Sequence, residues 1–335
     1  MRRNIVLFIV ALILYLALGE LALRVWFNDI TTTYDNRSYF ALKWKASSIR
    51  TNSSGYRERE FDRPKPPGVY RVAFLGDSFA FGQGIREEER MSNLLERELK
   101  KHIGGIEVLN FGNPGHNTAD EVKVLKTDVL PEAAPDFVLL QWYVNDVEYR
   151  LAAPAVEASG AGTGKSGGDL VNEFKQKMLN VSVIYFLLAD VVHRVRDMLV
   201  VSHADETYSR VGDPESFESR EAEKALVEFI RTARASNVPV GIVLVPHLLP
   251  LKGGAYPFLY LHKRVLSLCE REGITCVDLF PVMEPYLKDE TKYMQLWVNR
   301  FDSHMGPFAN ELAVHRVMDV FGQGWAVAAG SHRLQ

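Results

Sequence analysis

The first candidate for chemistry is Ser78, in the triplet Gly76-Asp77-Ser78. The triplet follows the apolar run 72–75, which is typical of a buried central strand of a parallel sheet. Open α/β sheets bind their ligands at the carboxyl ends of such strands. A serine there has its hydroxyl on a rigid element, and its backbone N–H can point at a bound carbonyl oxygen. Ser78 is therefore a candidate nucleophile; the alternative is a turn that only caps a helix.

Three later loops contain the groups that a nucleophilic serine needs. Gly115 and Asn145 follow two further apolar runs, and each can donate an N–H group to a developing oxyanion. One such donor stabilises a transition state by roughly 3 kcal/mol. Near the C-terminus, Asp302 and His304 are two residues apart, so in an extended segment their side chains face the same way. Asp302 can then orient His304, and His304 can take the proton of Ser78.

Each of these residues also has a purely structural interpretation. Gly115 suits an ordinary turn, Asn145 can cap a helix, and a single histidine such as His304 is often a surface residue. All of the groups, however, fall at the same edge of one predicted sheet. That coincidence favours a catalytic site with a nucleophile, an oxyanion hole and a base.

The elements that position these residues alternate between strands and helices. Apolar runs after the first strand predict further strands at 106–111, 136–144, 240–245 and 275–280. Helical spacing predicts helices at 87–102, 118–129, 215–235, 259–271 and 307–321, the second with a capping box formed by Thr118 and Glu121. This alternation indicates a central parallel sheet of about five strands with helices on both faces.

The chain departs from this alternation in the middle. Residues 148–214 read as a helical insertion, glycine- and serine-rich at 158–168 and helical at 172–201. The apolar part of that helix is too short to span a membrane, so it is a core or lid helix, or one that lies against a bilayer. We expect a core helix. The predicted organisation is an anchor at 1–27, a linker or surface segment at 28–69, a catalytic domain at 70–325 and a tail at 326–335.

The N-terminus contains the candidate membrane segment. Arg2 and Arg3 precede an apolar run that continues, interrupted by Glu20 and Arg24, to Phe27. Its length permits a membrane span, and the leading arginines predict a cytoplasmic N-terminus with the rest of the chain outside. A cleaved signal peptide is the alternative. We expect an uncleaved, single-pass anchor in the inner membrane, with the catalytic domain on the periplasmic or extracellular side.

Composition excludes some functions. The 335 residues carry a net charge of −3, and no basic cluster is present that would bind nucleic acid.

The two cysteines, Cys269 and Cys276, show no metal-type spacing. They can pair in an oxidising compartment, but we expect two independent core residues because one lies on a predicted helix and the other on a predicted strand. The sequence indicates neither a metal nor a cofactor.

The four loops together resemble the motif blocks of the SGNH (GDSL) hydrolase superfamily. The matching blocks are Gly76-Asp77-Ser78, the Gly115 loop, Asn145-Asp146 and the segment that contains Asp302 and His304. The resemblance covers about 70–150 and 238–322. It implies a three-layer, flavodoxin-like α/β/α sandwich, with Ser78, His304 and Asp302 as catalytic residues. It also implies an oxyanion hole formed by the N–H groups of Ser78 and Gly115 and the amide of Asn145. The family often separates its aspartate and histidine by three positions, whereas here they are two apart.

These observations predict an extracytoplasmic serine esterase that acts through an acyl-enzyme. Its substrate is expected to be an acyl ester, for example on an acetylated polysaccharide. One alternative is an O-acyltransferase, in which a sugar hydroxyl captures the acyl-enzyme in place of water. Another alternative is a catalytically silent domain that binds glycan or acts as a scaffold.

Overall fold

A parallel β-sheet holds the centre of the fold. The computed structural model describes residues 2–147, 167–199, 217–251 and 254–330. Within them, five parallel strands pair in the order β2-β1-β3-β4-β5. The strands are β1 (Tyr70–Leu75), β2 (Ile106–Asn110), β3 (Phe137–Tyr143), β4 (Val240–Val245) and β5 (Thr275–Asp278). The sequence prediction of a flavodoxin-like parallel sheet is confirmed, because this strand order is the flavodoxin-like one.

The strand positions in the sheet follow from their composition. Every residue of β3 and β4 is buried, whereas β5, at one edge of the sheet, is largely half-exposed. Strands covered on both faces by helices read as continuous apolar runs, which is why these strands could be located within a few residues. An antiparallel hairpin of β6 (Trp297–Asn299) and β7 (Asp302–Met305) lies outside the main sheet.

Helices follow most of the strands. Two of them change geometry near their ends: π-helical turns continue the helix after Val124, at Leu125–Ala133, and after Val317, at Met318–Gly322. The α-helices are α1 (Arg2–Trp26), α2 (Tyr39–Ser48), α3 (Ser78–Phe81), α4 (Met91–Leu99), α5 (Thr118–Val124), α6 (Gly167–Val181), α7 (Val183–Leu199), α8 (Phe217–Ala235), α9 (Leu259–Glu272), α10 (Phe280–Leu287), α11 (Pro307–Val317) and α12 (Gln323–Ala328).

The predicted capping box of α5 is wrong. The cap is Asn117, whose side chain accepts a hydrogen bond from Asp120 N at 3.1 Å. Thr118 is the first helical residue, so Glu121 lies one turn into the helix and is buried. With Asn117 as the cap, the third helical residue is Asp120, so Glu121 does not occupy the position from which a capping-box side chain reaches back to the cap.

The prediction of two independent cysteines is also wrong. Cys269, in the last turn of α9, forms a disulfide with Cys276 in β5, and their Cα atoms are 6.2 Å apart. The helix ends at Gly273, which has a left-handed backbone with φ +62°, so the chain reverses at once. This tight reversal brings the helix and the strand within disulfide reach.

The chain divides into two compact units. The sheet unit comprises the described residues of Ser48–Leu151 and Glu206–Gln335 and contains the sheet and its helices. The helical unit comprises those of Met1–Ser47 and Ala152–Asp205, with α1, α6 and α7. The sequence predicted neither α2 nor the break at Ser182 that separates α6 from α7. The glycine-rich run at 158–166 lies outside the described residues.

In the helical unit, α1 holds the start of α7 through a carboxylate. Glu20 accepts hydrogen bonds from Val183 N at 2.9 Å, Ile184 N at 3.1 Å and Ser182 Oγ at 3.0 Å. The first N–H groups of a helix have no partner within it, and its N-terminus attracts negative charge. Arg24, one turn beyond Glu20, donates to Glu20 at 2.8 Å and to Val181 O at 2.5 Å. Glu20 therefore caps a helix more than 160 residues away in sequence.

Candidate active site

Ser78 stands at a sharp turn after β1. Gly76 has φ +153°, and a Cβ at this position would approach Gln141 O to 2.9 Å and Ala80 Cβ to 2.8 Å, so the turn requires glycine. Asp77 Oδ1 then accepts from Phe79 N at 2.9 Å and caps the short helix α3, which begins at Ser78. The capping interpretation of this triplet and the nucleophile interpretation are thus compatible. Asp77 caps the turn, and the turn presents Ser78.

His304 and Asp302 reach Ser78 from the hairpin near the C-terminus. His304 Nε2 is 2.8 Å from Ser78 Oγ, and His304 Nδ1 is 2.5 Å from Asp302 Oδ1. Both residues lie in the extended strand β7, so side chains two positions apart share a face. Asp302 Oδ1 also accepts from His304 N at 3.0 Å. The separation of two residues is therefore sufficient for the aspartate to orient the imidazole ring.

The surroundings of His304 set its proton affinity. Burial lowers the pKa of His304, but the adjacent Asp302 carboxylate raises it more, so the pKa ends above its ordinary value. The His304 side chain remains 24% exposed, whereas Asp302 is almost fully buried. A substrate can therefore reach the imidazole while the carboxylate stays shielded from water. These are the properties required of a base that takes and returns a proton.

Phe79 supports the imidazole ring and was not recognised from the sequence. The Phe79 ring centroid is 4.8 Å from that of His304 and 4.2 Å from that of Tyr143. Phe79 follows Ser78, so the same helical turn that presents this serine also supplies a ring contact for His304. No sequence pattern signals this contact, because Phe79 and His304 are far apart along the chain.

The loop that contains Gly115 is hydrogen-bonded to the turn that carries Ser78. Asn113 N donates to Gly76 O at 2.9 Å, and a Cβ at Gly112 would overlap the backbone at Phe81. Gly115 itself has φ +82°, with no heavy atom within 4 Å of its Cβ position. Gly112 is thus required for this loop to approach α3 closely, which sequence reasoning missed. Gly115 supplies a left-handed turn in the same loop.

Asn145 is held beside the turn that carries Ser78 by a hydrogen bond to Asp77. Asn145 Nδ2 donates to Asp77 Oδ2 at 2.9 Å, and Asp77 uses its other oxygen as the cap of α3. A side-chain amide has two N–H donors, so one remains for a ligand oxygen. Asn145 follows β3 and Ser78 follows β1, the two neighbouring strands between which the direction of chain winding reverses. Sheets of this kind place their binding crevice at that point.

Two buried acids close to this site were not expected. Asp146 Oδ2 accepts from Tyr143 N at 2.8 Å, whereas the carboxylate oxygens of Glu121 contact no hydrogen-bond donor among the described residues. Burial raises the pKa of Glu121 well above its ordinary value, and the charges of Asp146 and Asp77 raise it further. Burial and the charge of Asp77 likewise raise the pKa of Asp146. Both groups therefore favour the protonated form.

Arg57, in the turn at 52–57, contacts the loop that follows α3. Its buried guanidinium donates to Gly82 O at 2.7 Å and to Ile85 O at 2.9 Å, just after α3. The turn at 52–57 thus holds the loop that follows α3 in place. This role depends on contacts about 25 residues away, so the local sequence carries no signal for it.

His247, in the loop after β4, is half-buried and lies in a network of hydrogen bonds. Its Nδ1 is hydrogen-bonded to the Tyr143 hydroxyl, and its N–H donates to the Tyr256 hydroxyl at 2.6 Å. Burial lowers the pKa of His247 to about 4, so the ring is neutral at physiological pH. His247 therefore belongs to the buried polar network next to Tyr143.

A serine, a histidine and an aspartate joined by hydrogen bonds beside the switch point of a flavodoxin-like sheet form an arrangement that serine hydrolases use. The profile of the GDSL-like Lipase/Acylhydrolase family matches residues 74–299, more than half of the chain. The chain therefore belongs to that family and is a hydrolase that acts on ester bonds. The match includes Ser78, Gly115 and Asn145 but ends before Asp302 and His304.

Several solved structures are similar to this chain. The acetyl xylan esterase AlAXEase is 18% identical, with a TM-score of 0.46, and the match covers 74% of this chain and 98% of that one. TesA is 14% identical, with a TM-score of 0.46 and coverage of 75% and 98%. A catalytic mutant of the acetylxylan esterase Axe2 from Geobacillus stearothermophilus is 14% identical, with a TM-score of 0.47 and coverage of 76% and 95%. No curated protein matches the chain.

Proposed function

We propose that the protein is a membrane-anchored, extracytoplasmic ester hydrolase whose nucleophile, base and orienting acid are Ser78, His304 and Asp302. The observation that carries this proposal is the continuous contact from Ser78 Oγ to His304 Nε2 at 2.8 Å and from His304 Nδ1 to Asp302 Oδ1 at 2.5 Å. A serine hydroxyl is a weak nucleophile until an adjacent base removes its proton. Here the base is in contact with the hydroxyl before any substrate binds.

The reaction follows from this geometry. Ser78 Oγ attacks the ester carbonyl carbon while His304 Nε2 takes the hydroxyl proton. Collapse of the tetrahedral intermediate breaks the bond to the alcohol, and His304 returns the proton to that leaving oxygen. Water then attacks the acyl-Ser78 ester and gives a proton to His304. The second tetrahedral intermediate collapses, breaking the bond to Ser78 Oγ; His304 returns the proton to that oxygen and the carboxylic acid leaves. Asp302 stabilises the imidazolium in both halves of the reaction.

The oxyanion hole is proposed to consist of the N–H groups of Ser78 and Gly115 and the amide of Asn145. The hydrogen bond from Asn145 to Asp77 Oδ2 supports this assignment, because it holds the amide beside the nucleophile turn. The bond from Asn113 N to Gly76 O ties the Gly115 loop to the same turn. Donors fixed before the reaction need no reorganisation when charge develops on the carbonyl oxygen.

The location rests on α1. The helix is long and apolar enough to cross a membrane, and none of its apolar window is buried within the protein. The contacts from Glu20 to the start of α7 support its retention as an anchor, because cleavage after a signal sequence would remove the cap of α7. The Cys269–Cys276 disulfide supports an oxidising compartment outside the cytoplasm. For this location, the proposed substrate is an acetyl ester on a cell-envelope or exported polysaccharide.

The first test is active-site labelling of the full chain in detergent with a fluorophosphonate probe. We expect the parent to be labelled and both Ser78→Ala and His304→Ala to abolish labelling. Ser303→Ala is the matched control, because Ser303 lies between Asp302 and His304 but on the opposite face of β7. Labelling that persists in Ser78→Ala contradicts the choice of nucleophile. A folded parent that is not labelled supports the silent-domain alternative.

A second measurement separates hydrolysis from transfer. The full chain is given an acetyl-ester donor with and without an oligosaccharide acceptor, and free acetate and acetylated sugar are quantified. The proposal predicts that acetate is the main product in both cases. Acetylated sugar that forms faster than acetate would reassign the chain as an O-acyltransferase with the same nucleophile.

A further inference from the structure

The apolar surface of α7 is unusual in its arrangement. The described side chains of α7 form two opposed faces. Val183, Phe186 and Asp190 are buried in the helical unit, where the Phe186 ring lies 5.5 Å from that of Phe40. The opposite face is an exposed apolar stripe of four residues that are between 50% and 68% exposed: Leu188, Val191, Val192 and Val195.

This stripe has the spacing of one helix face, at positions i, i+3, i+4 and i+7. Exposed apolar side chains scattered singly need no explanation, but a continuous row on one helix is a binding surface. Helix α6, which contacts α7, carries a second exposed row at Val171, Phe174 and Val181. The helical unit therefore exposes apolar surface on α6 and α7 as well as on α1.

Glu20 fixes the depth at which α7 starts. Glu20 is 17 positions beyond Arg3; at 1.5 Å per residue this is about 25 Å along the helix axis. The hydrocarbon layer is about 30 Å thick, so with Arg3 at the inner boundary Glu20 lies near the outer boundary. Because Glu20 binds the first N–H groups of α7, that helix begins at the same level.

From that level α7 cannot cross the bilayer. Its apolar part, Val183–Val192, is shorter than the roughly 20 residues that a span requires. A helix of this length with one apolar stripe lies in the plane of the interface, its apolar face about 5–10 Å below the headgroups. The salt bridge of Asp190 with Arg194, 2.8 Å long, starts from the helix face opposite the stripe and leaves the stripe apolar.

We infer that α7 is an interfacial membrane helix whose exposed stripe is embedded in the outer leaflet beside the anchor helix α1. The partner of this surface is lipid. The inference rests on the membrane anchoring in the proposed function and extends it, since the insertion then contributes a second membrane contact. The apolar window of α1 is not buried within the protein, and Glu20 joins this candidate membrane helix to the start of α7, which favours lipid over a protein partner.

The test uses the full chain in phosphatidylcholine nanodiscs with an environment-sensitive fluorophore on single introduced cysteines. The native cysteines are paired in a disulfide and do not react. Leu188→Cys and Val192→Cys report on the stripe, Ile13→Cys reports on the anchor, and Lys224→Cys is the exposed helical control in the sheet unit. Lipids with a doxyl quencher near the headgroup end or near the methyl end of the acyl chain measure depth.

We expect the probes at positions 188 and 192 to be quenched more by the shallow doxyl than by the deep one, and more than the probe at position 224. The probe at position 13 should be quenched more by the deep doxyl. Thermal unfolding of each labelled variant checks that it is folded.

The outcomes separate the inference from the proposal on which it rests. Quenching at position 13 without excess quenching at 188 and 192 overturns the interfacial helix and leaves the anchor standing. No quenching at position 13 contradicts the anchor itself. Disulfide-linked dimers of unlabelled Val192→Cys would assign the stripe to a second copy of the chain and also overturn the inference.

Discussion

Two histidine–aspartate pairs in the sheet unit have nearly the same internal geometry and different surroundings. His304 Nδ1 lies 2.5 Å from Asp302 Oδ1, and His262 Nδ1 lies 2.8 Å from Asp278 Oδ1. The difference is at the other ring nitrogen. His304 Nε2 meets Ser78 Oγ and the side chain is 24% exposed, whereas His262 Nε2 faces the Tyr256 hydroxyl at 3.4 Å and its side chain is 0% exposed.

The comparison shows that a histidine–carboxylate pair is not by itself a catalytic feature. In the His262 pair both ring nitrogens have partners inside the protein, and Asp278 Oδ1 also accepts from Phe280 N at 2.9 Å. Such a network stabilises the joint between β5 and the helices around it. In the other pair, the Nε2 atom of His304 contacts the hydroxyl of Ser78, and the His304 side chain is partly exposed. Partial exposure and contact with a serine hydroxyl distinguish the two pairs.

The largest effect should come from replacing each histidine by glutamine. We expect His304→Gln to lower kcat/KM by about 10⁴–10⁶-fold, because the hydroxyl of Ser78 loses its base. His262→Gln should leave kcat/KM within a few-fold and lower the free energy of unfolding by about 1–3 kcal/mol, because Asp278 loses its donor. Hydrolysis of p-nitrophenyl acetate and chemical denaturation measure both quantities. Equal losses of activity in the two variants would remove the distinction.

Replacing Asp302 or Asp278 tests the comparison through the pH dependence of kcat/KM. Only neutral His304 can accept a proton, so kcat/KM should rise as pH rises through the pKa of His304, which Asp302 holds above 6.5. In Asp302→Asn the burial that lowers this pKa remains and the carboxylate is lost, so the rising limb should move to lower pH. The rate should fall by about 10⁴-fold because the imidazole is held in the wrong tautomer.

Asp278→Asn is the matched control for this experiment. It removes the carboxylate of the other pair and should leave the position of the pH limb unchanged. If Asp302→Asn also leaves the rising limb of the pH profile of kcat/KM unchanged, another group must set the proton affinity of His304.

The buried acid Glu121 is not paired with a histidine in the described part of the chain, and the effect of replacing it should appear in stability. Burial raises the pKa of Glu121 in the folded chain, so the folded state binds this proton more tightly than the unfolded state. The resulting stabilisation is complete at low pH and is lost as pH rises through the folded pKa. Between the unfolded and folded pKa values, Glu121→Gln should gain stability relative to the parent by about 1.4 kcal/mol per pH unit.

Urea unfolding at several pH values measures this difference. Glu290→Gln, at an exposed glutamate, is the control and should show no such trend. A stability difference for Glu121→Gln that is independent of pH would show that Glu121 is already ionised in the folded state.

The smallest effect concerns the ring that supports one histidine of the comparison. Phe79→Leu removes the contact with His304, whose ring centroid is 4.8 Å away. An aromatic pair of this kind is worth about 0.5–1.5 kcal/mol, so kcat should fall by about 2–10-fold with little change in KM. Phe308→Leu, which removes the ring contact with Tyr286, is the control and should leave kcat unchanged. A change in KM alone would place Phe79 in substrate binding instead.

Much of the sheet unit could be predicted because its signals are local. The strands of the sheet are continuous apolar runs, and 240–245 was located to the residue. Ser78 could be singled out because a glycine ends the first of these runs. Asp302 and His304 could be paired because residues two apart share a face in extended backbone, and the structure has that backbone at Asp302–Met305. Their catalytic roles remain a proposal.

The errors have a common physical cause. The spacing of Glu121 from Thr118 fits a capping box, but the helix is capped by Asn117, one residue earlier, and the spacing alone does not show which residue is the cap. The disulfide was missed because the Cα separation of Cys269 and Cys276 depends on how tightly the chain turns at Gly273. Gly112 and Arg57 were overlooked because their partners lie in other loops.

By itself, the sequence determined the alternation of strands and helices, the apolar N-terminal helix and the residue types at the carboxyl edge of the sheet. These features depend on local composition and periodicity. Only the tertiary structure decided which histidine meets a serine and which is enclosed, that Asp77 holds Asn145, and that Glu20 caps α7. These contacts join residues between 68 and 226 positions apart, and no local pattern encodes a contact over such a distance.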